Sequence, residues 1–347
     1  MRSKIRSGVL NLFLSVSVLC ALLLLTEFVL RLTVYRFKNY PVSPGPGSVY
    51  RIDTAEFKTA VRINRHNLRG PEIPDKREGE YRILCVGDSF TFGLGVNEED
   101  SYPAVLERML KSAHPQVRVI NGSYGRYAKE ELEFLLEKEA ALKPDLAVVQ
   151  IYIGNDIYDT MLSSKESRSV RAAKEPCIAL MKNFLKQQCV TFDFIWRRLI
   201  QIPYLDDWLF RFNWRYNNRA IFLKRFPPFE EKLVAIELDY LKKMDEFLVQ
   251  NGIRRLYLIV PCKEQIYMKR RLQEGRYDYR KPNKIFEDFL RENHCPFLDL
   301  LDAYESLPEG EVKSFYYVQD QHWTPSGNRH AAGAVAEWIR RQALWVS

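Results

Sequence analysis

The chain has 347 residues, 46% of them hydrophobic, and its 52 Lys and Arg outnumber 44 Asp and Glu for a formal net charge of +8. The length suits one domain plus additional segments, and the apolar content suffices for a sizeable core. No stretch has the pattern of a nucleic-acid module, so the charge is read as a surface property whose counterparts are anionic lipid headgroups or an acidic polymer.

Met1–Ser7 carries Arg2, Lys4 and Arg6, and Val9–Leu25 follows, apolar except for Asn11, Ser15 and Ser17. Extended across Thr26 to Leu30, this run is long enough to span a bilayer. It reads as a cleaved signal peptide or an uncleaved anchor. No A-x-A site follows it, and Leu19 before Cys20 makes a poor lipoprotein box. The expectation is a cytoplasmic basic tail over residues 1–7 and a transmembrane signal anchor over 8–31, with the remainder on the extracytoplasmic side. Glu27 and Arg31 have the spacing of an i,i+4 pair, or are ordinary interfacial residues.

Residues 32–80 read as a connector, since Pro41, Pro44, Pro46, Gly45 and Gly47 argue against regular structure. Val61–Pro71 is the part of it expected to lie extended against the domain. From Tyr81 the pattern alternates strand and helix. Tyr81–Gly95 reads YRILCVGDSFTFGLG: a buried strand over Arg82–Val86, then Asp88 and Ser89 where it breaks into a glycine-tightened loop. A helix is expected over Ser101–Ser112, a strand over Val117–Ile120, a helix over Lys129–Leu142 and a strand over Leu146–Ile153. Strands separated by helices imply βαβ units and a parallel sheet.

Residues 157–229 break this rhythm with an aromatic-rich, basic insertion; Ile157–Lys232 holds 14 Lys and Arg against 8 Asp and Glu. It reads as a cap over the site or as an accessory helical subdomain, and its basic residues suit a membrane surface. Lys232–Asn251 is a helix, Leu256–Val260 and Pro296–Leu300 are strands, and Ser326–Leu344 is the terminal helix. Lys263, just past a strand end, is a candidate substrate contact or a surface lysine. His66 reads as a solvated loop residue and His330 as packed or surface. The six cysteines have no C-x-x-C spacing, so no metal is expected. Cys85, Cys262 and Cys295 read as buried thiols, and Cys177 and Cys189 as a pair if the domain is exported.

Chemistry concentrates at the strand ends. A serine hydroxyl needs a base within hydrogen-bond reach, and the base needs an orienting carboxylate. Asp320-Gln321-His322-Trp323 supplies both from one loop before the last helix. Gly154-Asn155-Asp156 puts an amide and a glycine N–H at another strand end, as oxyanion donors require. The bland alternative is that Asp88 or Ser89 simply caps the next helix.

These blocks, in this order, resemble the SGNH (GDSL-type) hydrolase superfamily, in the form of a membrane-anchored bacterial envelope member. Gly87-Asp88-Ser89 is similar to its nucleophile block, Asn121-Gly122-Ser123-Tyr124-Gly125 to its second, Gly154-Asn155-Asp156 to its GxND block, and Asp320 with His322 to its last. The resemblance implies an α/β fold, a three-layer α/β/α sandwich with a parallel five-stranded, flavodoxin-like sheet over residues 81–347. It implies catalytic Ser89, His322 and Asp320, and an oxyanion hole from Ser89, Gly125 and Asn155, with Gly122 second choice to Gly125. No cofactor is implied. The D-x-H spacing is one residue tighter than the commoner D-x-x-H, which makes Asp156 and Asp299 rival acids.

Three functions follow as expectations: a serine esterase acting on an acylated envelope glycan or lipid, an O-acyltransferase modifying an envelope polysaccharide with the same triad, and a non-catalytic polysaccharide-binding module. The His322-Trp323 pair is also seen in alginate-type acetyltransferases of the superfamily, although their blocks run in a different chain order. The intact serine, asparagine and histidine argue against a pure binder.

Overall fold

The computed structural model describes residues 2–33, 45–54, 56–123, 127–160, 184–185, 188–199, 218–318 and 320–342. The chain falls into two compact units. The first joins Met1–Asn39 to Val170–Asn217, the second Tyr40–Ser169 to Asn218–Ser347.

In the first unit, helix α1 spans Arg2–Thr33. Within it, Asn11–Thr33 is long and apolar enough to cross a membrane. The described part of the insertion adds helix α6 (Val190–Leu199), which packs on α1. Cys189, expected to pair with Cys177, carries a free thiol that donates to Glu27 Oε2 at 3.4 Å. Cys177 itself lies outside the described residues.

The second unit begins with a hairpin in the segment expected to be irregular. Strands β1 (Val49–Asp53) and β2 (Lys58–Arg62) pair antiparallel. Their turn is closed by Thr54 Oγ1, which accepts the N–H of Phe57 at 3.0 Å. Residues of one parity face inward, as a strand's period of two requires. Ile52, Val61 and Ile63 bury against Phe57 in a small core that Phe92, Leu94 and Tyr317 complete. The prolines and glycines that signal a loop here flank the hairpin; the alternation inside it decides its structure.

Five parallel strands follow in the order β4-β3-β5-β6-β7: β3 (Tyr81–Gly87), β4 (Val117–Ser123), β5 (Leu146–Tyr152), β6 (Arg254–Val260) and β7 (Phe297–Asp299). That is the flavodoxin-like arrangement the sequence leads one to expect. β3 and β5 are apolar apart from Arg82 and Gln150 and buried at almost every position, because helices cover both faces. The short helix α2 is Ser89–Phe92; α3 (Tyr102–Lys111) packs with the terminal helix. On the other face α4 (Ala128–Leu142) packs with α7 (Pro228–Gln250), while α5 is the short Asp156–Asp159. Right-handed crossovers put these pairs on opposite faces, since the chain reverses direction across the sheet after β4. Among the described residues the remaining α-helices are α8 (Lys263–Tyr267), α9 (Lys269–Leu272), α10 (Lys281–Glu292), α11 (Leu300–Glu305), α12 (Glu309–Ser314) and α13 (Pro325–Arg341). The reversal leaves β3 and β5 adjacent with their connections departing to opposite sides, which opens a crevice at their C-terminal ends.

Candidate active site

Ser89 enters the crevice because β3 ends against a polar lock. A Cβ on Gly87 would stand 2.7 Å from Gln150 Oε1, so glycine alone lets the two strands meet there. Asp88 turns inward. Its Oδ1 accepts the Phe90 N–H at 2.8 Å and Gln150 Nε2 at 2.7 Å, while Gln150 Oε1 accepts from the Thr91 hydroxyl at 2.7 Å. The capping role open to either residue therefore falls to Asp88, and Ser89 opens α2 with its side chain free for other work. Burial pushes the Asp88 carboxyl above its ordinary value against those hydrogen bonds. Gly93, at φ 79°, ends α2 in the left-handed conformation, and its N–H reaches the Phe90 carbonyl.

Two polar residues to which the sequence assigned no individual role hold the loop beyond. Buried Arg69, from the segment expected to lie against the domain, donates to the carbonyls of Phe92 (2.7 Å), Gly93 (2.6 Å) and Val96 (2.7 Å). Burial lowers its guanidinium to about 10. Asn121 Nδ2 donates to the Thr91 carbonyl at 2.9 Å.

His322 arrives from the opposite end of the chain. Its Nε2 lies 2.7 Å from Ser89 Oγ, and its Nδ1 lies 2.5 Å from Asp320 Oδ1. With the ring N–H on Nδ1 toward the carboxylate, Nε2 is the acceptor for the serine proton. Burial works to raise the Asp320 carboxyl, but the hydrogen bond and charge of His322 and the nearby Lys263 outweigh it and hold it below the usual carboxylate range. The histidine is nearly buried, with its ring centroid 5.1 Å from that of Phe90.

The loop carrying Asp320 is clamped from two sides. Lys263 Nζ donates to the carbonyls of Tyr317 (2.6 Å), Val318 and Asp320 (3.1 Å). Glu56, in the hairpin turn, accepts the Asp320 N–H at 2.7 Å. Burial lowers the Lys263 ammonium, opposed by the charges of Glu56, Glu264 and Asp320. Half-buried rather than a surface lysine, Lys263 turns its ammonium to the loop backbone.

Asn155 stands at the end of β5, its Nδ2 donating to Asp159 at 2.5 Å, which leaves the second amide N–H for another acceptor. Gly125 lies outside the described residues. Gly122 is inside β4, where a Cβ would stand 2.6 Å from Leu84, so close strand packing accounts for it. The rival acids are engaged elsewhere: Asp156 Oδ2 accepts the Tyr152 N–H at 2.7 Å, and Asp299 caps α11 through the Leu301 N–H at 2.8 Å. Burial raises both carboxyls, Asp299 to about 7. His330 packs on Phe315 and Tyr304. Glu287, Asp299 and Asp302 bring carboxylate oxygens within 4.8 Å of one another. Asp302 is taken by Arg280 and Asp299 also accepts from Asn283, so this group satisfies itself with protein partners.

Residues 205–346 match the family model described as "SGNH hydrolase-like domain, acetyltransferase AlgX". That stretch contains Lys263, Asp320 and His322 and begins after Ser89 and Asn155. No curated protein matches the chain. Among solved structures, it is similar to the lipase/acylhydrolase from Enterococcus faecalis over 76% of this chain and 96% of that one, at 14% identity and a TM-score of 0.43. A GDSL-like lipase from Bacteroides thetaiotaomicron is similar over 78% and 93%, at 14% identity and a TM-score of 0.41. The acetyl xylan esterase AlAXEase is similar over 75% and 98%, at 14% identity and a TM-score of 0.40.

Proposed function

We propose that the chain is a membrane-anchored serine esterase of the SGNH hydrolase superfamily that removes O-acyl groups from an extracytoplasmic glycan or lipid, a reading supported by the family match over residues 205–346. The observation that carries the reading is the relay from Ser89 Oγ to His322 Nε2 at 2.7 Å and from His322 Nδ1 to Asp320 at 2.5 Å. As Ser89 Oγ bonds to the ester carbonyl carbon, its proton passes to Nε2. The oxyanion is met by the Ser89 N–H and the Asn155 side chain. Collapse breaks the carbonyl-to-alkoxy bond, and the leaving alcohol takes the proton from His322. Water then attacks the acyl-serine, giving its proton to the same nitrogen, and the acid departs as Ser89 regains its own. The charge of Asp320 stabilises the imidazolium at each step and holds the tautomer.

A second reading replaces water by a sugar hydroxyl, making the chain an O-acyltransferase. The match to a family described by an acetyltransferase favours it. Both share the acyl-serine, so one experiment tests the common step and separates the outcomes. The full chain in detergent is given p-nitrophenyl acetate with and without an added polysaccharide, and labelled with a fluorophosphonate. Turnover and labelling that vanish in Ser89→Ala support the serine; labelling that persists in that variant refutes it. Acetate release alone supports the esterase, and acetylated polysaccharide the transferase.

The anchor reading rests on the basic flank of Arg2, Lys4 and Arg6 before an uninterrupted helix of spanning length. A mature chain beginning after residue 20 by mass spectrometry contradicts it.

A further inference from the structure

The outer end of α1 is built into the fold of the insertion. Gly8–Thr26 is 19 residues without a charge, about 28 Å of helix at the standard rise, which is the thickness of a bilayer's hydrocarbon core. Glu27 is the first charge past it. Its Oε1 accepts the N–H of Val190 at 2.9 Å and its Oε2 that of Thr191 at 2.7 Å. Arg31 donates to Glu27 at 2.8 Å and to the Gln188 carbonyl at 2.7 Å. A carboxylate at the membrane boundary thus caps, from across the chain, two N–H groups of the first turn of α6, beside the Phe192 N–H that Cys189 Sγ accepts at 3.4 Å. A ten-residue helix is marginal on its own in water; this one is fastened where the lipid headgroups begin.

The exposed side of α6 is not that of a helix facing water. Ile195 (45% exposed), Arg198 and Leu199 (36%) have i, i+3, i+4 spacing, so they share one face, and Phe184 nearby is 62% exposed. The Arg198 guanidinium lies 3.6 Å over the Phe194 ring, while Phe192 stacks on the buried Trp196 at 5.9 Å. Exposed apolar side chains and a guanidinium over an aromatic ring on one short amphipathic helix are the composition of a segment lying in the headgroup layer.

We infer that α6 is a second membrane element, an interfacial helix locked to the anchor by Glu27, whose Ile195–Leu199 face rests in the headgroup layer of an anionic bilayer. The inference depends on the anchor reading above. It assigns the described part of the insertion to the membrane surface and gives α1 a structural role that a cleaved leader would not have.

The test uses the full chain in phosphatidylcholine vesicles containing phosphatidylglycerol and a photoactivatable phospholipid reactive near its headgroup, with adducts mapped by mass spectrometry. Adducts on both α1 and residues 190–199 are expected. Arg198→Glu lowers the yield on 190–199 by about fivefold, the effect of roughly one surface arginine on an anionic membrane, and leaves the yield on α1 unchanged. Glu27→Ala frees α6 and lowers the yield on 190–199 alone. Adducts on α1 with none on 190–199 overturn this inference and leave the anchor standing. Adducts on neither overturn the anchor reading, and this one with it. Yields on 190–199 that neither variant changes overturn the Glu27 lock and the lipid-facing side.

Discussion

Lys263→Met isolates the clamp on the loop that carries the acid and base. The ammonium of Lys263 holds three loop carbonyls, those of Tyr317, Val318 and Asp320, and methionine keeps the side-chain length without a donor. Hydrogen bonds from a charged donor contribute about 1.5–3 kcal/mol each, but three on one nitrogen do not add, and the carbonyls regain water when released. A net loss of about 2–3 kcal/mol in the ordered loop lowers the population of the aligned histidine by a factor of roughly 30–150. The variant is therefore expected to lose kcat by that factor on p-nitrophenyl acetate, with KM changed little, and to react with fluorophosphonate correspondingly more slowly. Lys263→Arg, which retains charge and donors, should recover part of the loss. Two results refute the reasoning. A kcat within about twofold of the parent means the loop holds its place through Glu56 and packing alone. A raised KM with unchanged kcat means the ammonium touches substrate after all.

Asp320→Asn should lower kcat by about 10⁴ with little change in KM, as loss of the orienting carboxylate does elsewhere; kinetics of Asp156→Asn and Asp299→Asn, whose carboxyls serve backbone N–H groups, should show far less. Buried Glu237 accepts the Ala128 N–H at 3.1 Å and the Thr160 hydroxyl at 2.7 Å, and burial raises its carboxyl to about 7. The folded state then holds a proton that the unfolded state has lost between pH 4.5 and about 7, so stability falls as pH rises through that window. Glu237→Gln should remove this slope and add up to about 3 kcal/mol above pH 7, read as a higher Tm at pH 8 and an unchanged one at pH 4.5; a Tm that rises equally at both values argues against the raised carboxyl.

The elements legible in the sequence are those whose pattern is local. Leu146–Tyr152 is apolar enough to admit only a buried strand, and α4 was expected over Lys129–Leu142 and runs over Ala128–Leu142. The hairpin at 49–62 escaped because its strands are short and half polar, and its inward face finds a core only when Leu94 and Tyr317 arrive from distant segments. Ser101 has the sequence of an N-cap for α3, yet its hydroxyl donates to the Glu98 carbonyl, and the Tyr102 N–H is met by Asn328 from the last helix. In the candidate site the same division holds. Ser89, Asp320 and His322 stand in recognisable local patterns and the structure brings them together. Arg69, Asn121, Glu56 and Lys263 each meet backbone groups distant in the chain, and a residue whose work is to satisfy a distant backbone group leaves no periodicity behind.

The short D-x-H spacing shows why type and order can be read while geometry cannot. An extended backbone would bring residues 320 and 322 to one side through the two-residue period. The loop instead bends at both residues. Asp320 Oδ1 accepts the backbone N–H of His322 at 2.9 Å as well as its Nδ1 at 2.5 Å. That is an Asx turn, in which the side chain mimics a backbone acceptor and folds the chain over itself. One oxygen thereby fixes both the main chain and the ring of His322, and the missing residue of a longer spacing has nothing left to do. The arrangement requires that the loop not relax around Asp320. Lys263 on its carbonyls and Glu56 on the Asp320 N–H hold it from either side, which ties the hairpin and the end of β6 to the tautomer of one histidine.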